Sequence, residues 1–258
     1  NRALLTELVR TDFKLRYQGS VLGYAWSLLR PLLLFMILYV VFVKFLGVGS
    51  NIPHYPIYLL LGLVMWTFFS EMTVLSLSSI VGRGDLIRKI RIPRWIIVLS
   101  TSITALINLC LNLVIVLIFI LINRSGFQIS LLLFPLIMLQ LYLFALSLSL
   151  FLAAAFVKYR DMTHIWEVCM QGLFYLTPVI FPLSLIPNQL VQKIIMINPV
   201  ATAIQDARYA VVSHSSLTIN SVYNSGYARL IPYGITLILL ILSVLYFKKE
   251  AKNFAENL

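Results

Sequence analysis

Trp95-Ile-Ile-Val-Leu-Ser-Thr-Ser-Ile-Thr-Ala-Leu-Ile-Asn-Leu-Cys-Leu-Asn-Leu-Val-Ile-Val-Leu-Ile-Phe-Ile-Leu-Ile122 is an apolar run with no Asp, Glu, Lys or Arg. It exceeds the roughly 20 residues that a helix needs to cross the hydrocarbon core of a bilayer. The run lacks period-two alternation, so it reads as helix and not as barrel strand. Its excess length predicts tilt or protrusion. Comparable runs cover 23–45, 58–80, 129–157, 165–181 and 230–247. The expectation is an all-α integral membrane protein with six transmembrane helices in a single domain, 1–258. The run 165–181 is the shortest. It rises only about 26 Å, and Pro178 and Pro182 cut it off.

Composition supports this reading. Of 258 residues, 60% are hydrophobic and 11% charged, against about 45–50% and about 25% in soluble domains. Lys and Arg resist translocation, so their distribution sets orientation. Arg2, Arg10, Lys14, Arg16, Arg83, Arg88, Lys89, Arg91, Arg94, Lys158, Arg160, Lys248, Lys249 and Lys252 fall on one alternating set of segments. Lys44, Arg124, Lys193, Arg208 and Arg229 fall on the other. The bias predicts a multi-pass protein of the cell (inner, cytoplasmic) membrane with N and C termini in the cytoplasm. The net charge of +11 follows this alternation, so no nucleic-acid partner is expected.

Chemistry-bearing motifs are scarce. Cys110 and Cys169 sit inside apolar runs and read as small buried hydrophobes. No His/Cys/carboxylate cluster has metal-ligand spacing, and no GxxxxGK[ST] phosphate loop occurs. The chain is therefore expected to bind no cofactor or metal and to carry no catalytic residue.

The connecting segments are more informative. Residues 1–19 place Leu5, Val9 and Phe13 at i, i+4, i+8, with Arg10 and Lys14 on another face. That pattern predicts an amphipathic helix in the interface plane, serving as a topogenic anchor, as a docking platform, or as both. Between the second and third runs stands Gly82-Arg-Gly-Asp-Leu-Ile-Arg-Lys-Ile-Arg-Ile-Pro-Arg94. Its five cations fit plain positive-inside charge. The apolar stripe Leu86, Ile87, Ile90 also fits a short docking helix, with knobs for affinity and flanking charges for register. Segment 182–228 is apolar yet broken by prolines. There Asn198-Pro199 reads as N-cap plus N1 proline, opening a helix through about Val212. Such short outer helices re-enter a bilayer only if protein or water covers their ends.

Charges inside apolar runs default to functional hypotheses. Glu71 reads as a paired structural carboxylate, as a polar dimer or channel contact, or as a misplaced span boundary. Arg30 either snorkels or meets an anionic substrate group. Arg160 and Asp161 are expected to form a local ion pair, with Glu167 joining that network.

Three stretches resemble one family: Leu15-Arg-Tyr-Gln-Gly-Ser-Val-Leu-Gly-Tyr-Ala-Trp-Ser-Leu-Leu-Arg-Pro31, Lys158-Tyr-Arg-Asp161 with Leu176-Thr-Pro-Val-Ile-Phe-Pro182, and Asn198-Pro199 with Arg208. They are similar, in order and over nearly the whole chain, to the ABC-2-type permeases that export lipid-linked polysaccharides such as O antigens, capsules and teichoic acids. Where those permeases often carry an acidic residue two positions after the proline matched to Pro93, this chain has Trp95. The resemblance implies a homodimer of six-span subunits, bound to two copies of a separate ATPase that holds ATP and Mg. It implies an interface helix over 1–19 and a coupling helix within 82–94, with Asp85, Leu86, Ile87, Arg88, Lys89, Arg91 and Arg94 as ATPase contacts. It implies an outer gate carrying Asn198, Pro199 and Arg208, and a channel lined by the first and fifth spans. On those spans Phe35, Tyr39 and Phe42 fall at i, i+4, i+7, and Trp166, Met170 and Phe174 at i, i+4, i+8, with Gln171 and Tyr175 adjacent. Such stripes also suit ordinary helix packing. Sugar C–H faces pack on aromatic rings, which is why these residues are candidates for a polysaccharide route. The alternatives are a flippase or secondary transporter needing no ATPase, which would show inverted halves, and an intramembrane enzyme, which would cluster Asp or His at one membrane face.

Overall fold

A computed structural model describes residues 2–17, 23, 25–47, 52–89, 93–123, 129–252 and 254. Among them every regular element is helical. In chain order they are α1 (Arg2–Tyr17), α2 (Ala25–Tyr39, prolonged by π-helical turns Val40–Phe45), α3 (Tyr55–Leu77), α4 (Gly84–Lys89), α5 (Trp95–Ile122), α6 (Phe134–Lys158), α7 (Met162–Leu176), α8 (Gln189–Ile197), α9 (Pro199–Val211), α10 (Ile219–Tyr223) and α11 (Leu230–Glu250). Five stretches are long and apolar enough to cross a membrane: Ala25–Phe45, Tyr55–Leu77, Trp95–Ile122, Ser130–Lys158 and Leu230–Glu250. The protein is an integral membrane protein.

The sixth expected crossing takes a different form. Helix α7 starts earlier than expected and has 15 residues, a rise of about 22 Å. It ends at Leu176 because the residue before a proline is pushed out of the α region. Thr177 is extended, at φ −91 and ψ 136.

Helix α3 is the hub. It is apolar around most of its circumference, which suits a helix buried by its neighbours, and Leu59, Leu61, Leu63, Met65 and Met72 are fully buried, while Val74 is exposed. It packs against α2, α5, α6, α7 and α9. Helix α11 lies farther out, against α6 and α9. The order α2, α3, α6, α11 therefore runs from one flank to the other. On the first flank α2 is largely exposed, with Met36 and Ile37 outward. Cys110 and Cys169 are free thiols on exposed faces of α5 and α7. This corrects their expected burial, since an apolar run offers lipid-facing as well as core-facing positions.

Helix α1 packs on α5, with Leu4, Leu5, Leu8 and Val9 half-buried and Arg10 and Lys14 exposed. Gly23, at φ 48, adopts the left-handed conformation before α2, which only glycine takes without strain. At the opposite end the Asn188 side chain accepts from the Leu190 amide and caps α8. Asn198 accepts from the Val200 amide, with Pro199 as the first helical residue of α9. The N-cap expected at Asn198-Pro199 is thus formed, and α9 ends within a residue of the expected limit.

Candidate functional site

Two polar clusters and one junction at the α1/α4 end hold most of the residues singled out from sequence. The first is a cavity of about 670 Å³ between α2, α3, α5 and α7. Arg30 comes from α2, Thr67, Ser70 and Glu71 from α3, Asn108 from α5, and Phe174 from α7, with Trp66 beside it. The two membrane-embedded charges expected as separate features thus line one space. The Asn108 amide donates to Glu71 at 2.5 Å, and Asn112, one turn on, donates to the Ser27 carbonyl at 3.3 Å. The Trp66 and Phe174 rings lie 5.5 Å apart, an attractive separation for tilted aromatics. A charge is stable at membrane depth only where protein or water surrounds it. This cavity supplies that surrounding to Glu71 and Asn108, while Arg30 stands exposed at its edge.

The aromatic stripes divide between this space and the core. Phe35 is 5% exposed and meets Phe119 of α5 edge-on at 5.5 Å. Met170 is buried in the same core, and Tyr39, Phe42, Trp166 and Phe174 pack against it half-buried. The Trp166 indole donates to Thr73 at 3.2 Å. Gln171 and Tyr175 are exposed on the outer side of α7.

The second cluster surrounds Arg208, which is completely buried. Its Nε donates to the Tyr58 carbonyl at 3.1 Å. One terminal nitrogen donates to the Pro178 carbonyl at 2.5 Å and to Gln205 at 3.2 Å. The other donates to the Val179 carbonyl at 2.5 Å. The guanidinium also lies 3.6 Å over the Tyr58 ring. Arg208 belongs to α9, Tyr58 to α3, and the two acceptor carbonyls to the turn that ends α7. One side chain therefore ties three elements together. Asn198 reinforces the tie by donating to Thr177 at 3.3 Å, and the Tyr55 hydroxyl donates to the Ile180 carbonyl at 3.1 Å. A Cβ at Gly62 would collide with the Arg208 guanidinium and approach the Val179 carbonyl to 2.8 Å. Beside this cluster, Arg229 donates to Asp206 at 3.0 Å. Burial pushes the Asp206 carboxyl up from the ordinary aspartate value, and Arg229 opposes that shift.

At the other end of α3, Arg83 donates to Asp12 of α1 and to Ser100 of α5 at 2.9 Å. The turn that leads into α4 is thereby fastened to both helices. On α4, Asp85 occupies the first turn, where the helix dipole favours an acid. Leu86 and Ile87 are half-buried. Ile87 packs against the chain's own cluster of Ile80, Val98, Phe247 and Phe254, which leaves Leu86 as the freer knob. Arg88 and Lys89 are helical in backbone, and their side chains lie outside the described residues, as does all of Arg91. Arg94 donates to the Ala251 carbonyl at the end of α11. It thus braces α5 against α11.

Around Arg160, Asp161 and Glu167, where a network is expected, the contacts seen among the described residues are separate ones. Arg160 lies 5.4 Å over the Phe156 ring, and Glu167 stands 3.9 Å from the exposed His164. Asp161 and Glu167 are exposed, where high dielectric weakens the reward for pairing. Residues that sequence reading missed include Tyr58, Gln205, Asp206, Arg229, Asp12, Arg83 and Asn108. The available signal was polarity within apolar surroundings, which Asn108, Gln205 and Asp206 all carry.

Comparison with known proteins adds a separate line. The profile of the family described as ABC-2 type transporter matches residues 3–212. The O-antigen export system permease protein RfbA of Myxococcus xanthus is 33% identical over 205 residues, covering 78% of this chain and 77% of the relative. A Klebsiella pneumoniae protein of the same name is 29% identical over 256 residues, covering 99% and 95%.

Proposed function

Because the chain belongs to the ABC-2 type transporter family, we propose that it is the membrane permease of an ATP-driven exporter of a lipid-linked polysaccharide of the O-antigen, capsule or teichoic-acid kind. The observation that carries the reading is the cavity between α2 and α7, which is lined both by the aromatic rings of Trp66 and Phe174 and by Arg30 and Glu71. Sugar rings stack on Trp66 and Phe174, and Arg30 meets the phosphate that joins glycan to lipid. Basic residues concentrate at the α1, α4 and α11 ends, so those ends and both termini face the cytoplasm.

In this reading residues 1–258 form one transmembrane unit. Helix α7 and its proline turn make a sixth crossing, and the short α8 and α9 fold back on the outer side. Two copies meet along the α2/α7 flank, where Gln171 and Tyr175 face the shared path. Each copy binds one separate ATPase subunit, and ATP and Mg sit on that partner. ATP closes the two ATPases and pushes α4. The Arg83 junction passes the push to α1 and α5, and the arrangement shifts as a rigid body between closed and open states. Asn198, Pro199 and Arg208 hold the outer gate in shape.

Depletion of the chain in its native cell tests this. Lipid-linked glycan is expected to accumulate on the cytoplasmic side, with export restored by the wild-type chain only when the partner ATPase can hydrolyse ATP. Restoration with a hydrolysis-dead partner would instead point to an ATPase-independent flippase. Among point variants, Arg30→Gln is expected to reduce export while leaving co-purification of the ATPase unchanged.

A further inference from the structure

A second large cavity, of about 460 Å³, opens on the flank opposite α2, between α5, α6 and α11. This lies within the range of about 300–1,000 Å³ typical of small-molecule sites. Its wall is apolar and includes Leu99 of α5, Leu150 of α6 and Val244 of α11. Its rim is cationic. Arg94 stands at the start of α5 and the exposed Lys248 in the last turn of α11, with the half-exposed Trp95 beside them. Glu250 interacts with Lys158 of α6, and no carboxylate lies among the lining residues.

We propose that this groove is a binding site for an anionic phospholipid of the cytoplasmic leaflet. The acyl chain lies along Leu99, Leu150 and Val244. The phosphate sits between Arg94 and Lys248, and Trp95 marks the headgroup level. Depth and charge both favour this occupant. Basic pockets between transmembrane helices on the cytoplasmic side suit anionic headgroups, and Trp is enriched at that interface. A soluble anion would have no use for the apolar wall, and a neutral lipid none for the two cations. The copy-to-copy contact is assigned to the α2 flank, at the far end of the order α2, α3, α6, α11. A lipid here bridges the starts of α5 and the end of α11, the two elements that Arg94 already braces through Ala251. The site rests on the orientation proposed above only in naming the leaflet.

Native mass spectrometry of the purified full chain, titrated with phosphatidylglycerol or phosphatidylcholine of equal chain length, tests the proposal. Phosphatidylglycerol is expected to be retained preferentially, by about fivefold per rim cation. Lys248→Gln should lower that preference by about fivefold without changing phosphatidylcholine retention. Leu99→Trp, which fills the groove, should lower retention of both lipids. Lys248 is exposed, so its variant keeps the test open if Arg94→Gln misfolds. Equal retention of the two lipids, or a preference unmoved by Lys248→Gln, would overturn the site. So would a photoreactive group at Val244 that captures a second copy of the chain instead of lipid. The leaflet is checked separately. Labelling of Lys252→Cys from outside the cell would sink the orientation and leave the lipid result standing.

Discussion

At Arg208 a single side chain decides how three elements meet. Its five donors form a planar fork, and here the fork serves backbone carbonyls of α3 and of the turn after α7. Arg208→Lys keeps the charge but cannot reach these acceptors together. It should cost about 3 kcal/mol or more, since each buried group left without a partner costs about 1–3 kcal/mol. Thermal unfolding in detergent should show a Tm lower by roughly 10 °C. Gly62→Ala should act in the same direction, because its Cβ would displace the guanidinium. Asp206 offers a pH-dependent test. Burial raises its pKa and Arg229 opposes the rise, so Arg229→Gln should raise it further. A carboxyl whose folded pKa lies above its unfolded value favours folding at low pH and loses that advantage as pH rises through the folded pKa. The variant should therefore be destabilised at neutral pH and recover part of the loss on acidification. A Tm deficit that is flat with pH would remove Asp206 from the account.

Helix α4 is short, and its two apolar residues have different duties. Ile87 packs into the cluster of Ile80, Val98, Phe247 and Phe254, whereas Leu86 lies outside it. Ile87→Asp should therefore lower the Tm, because a charge enters an apolar contact. Leu86→Asp should lower the Tm less than Ile87→Asp does, and should abolish co-purification of the ATPase. If Leu86→Asp retains the ATPase at wild-type ratio, α4 does not couple. Helix α7 shows how an element can be shortened by its successor. Pro178 displaces Thr177 from helical geometry, and the freed carbonyls of Pro178 and Val179 then become the acceptors of Arg208. The same proline both ends the helix and exposes its latch.

For the whole molecule, the two flanks differ in kind. The α11 flank is a helix pair with a cationic groove. The α2/α7 flank places Arg30, Gln171 and Glu167 on exposed surfaces, and polar groups facing lipid are costly. That cost is removed if a second copy or a shared aqueous path covers the flank. With Cys110 and Cys169 replaced by Ser, Gln171→Cys should form a cross-linked pair of chains in native membranes on treatment with a short bifunctional maleimide. Ile238→Cys, on the exposed face of α11, should not. Equal cross-linking at both positions would remove the assigned dimer face.

The amino-acid sequence by itself determined the solvent and the helical class of the fold. Apolar runs, the basic bias, Asn198-Pro199 as a helix start and the proline-shortened α7 were all legible, because hydrophobic length, charge and proline act locally. Only the tertiary structure decided which polar residues share a site. Nothing in residue spacing joins Arg30 to Glu71 and Asn108, Arg208 to Tyr58 and the Pro178 carbonyl, or Asp12 to Arg83. Nor could periodicity tell that Phe35 and Met170 face the core while Gln171 and Tyr175 face outward, since in a membrane both faces of a helix are apolar. In water the hydrophobic pattern names the inside. In a bilayer that distinction is lost, and burial is set by which helices pack together.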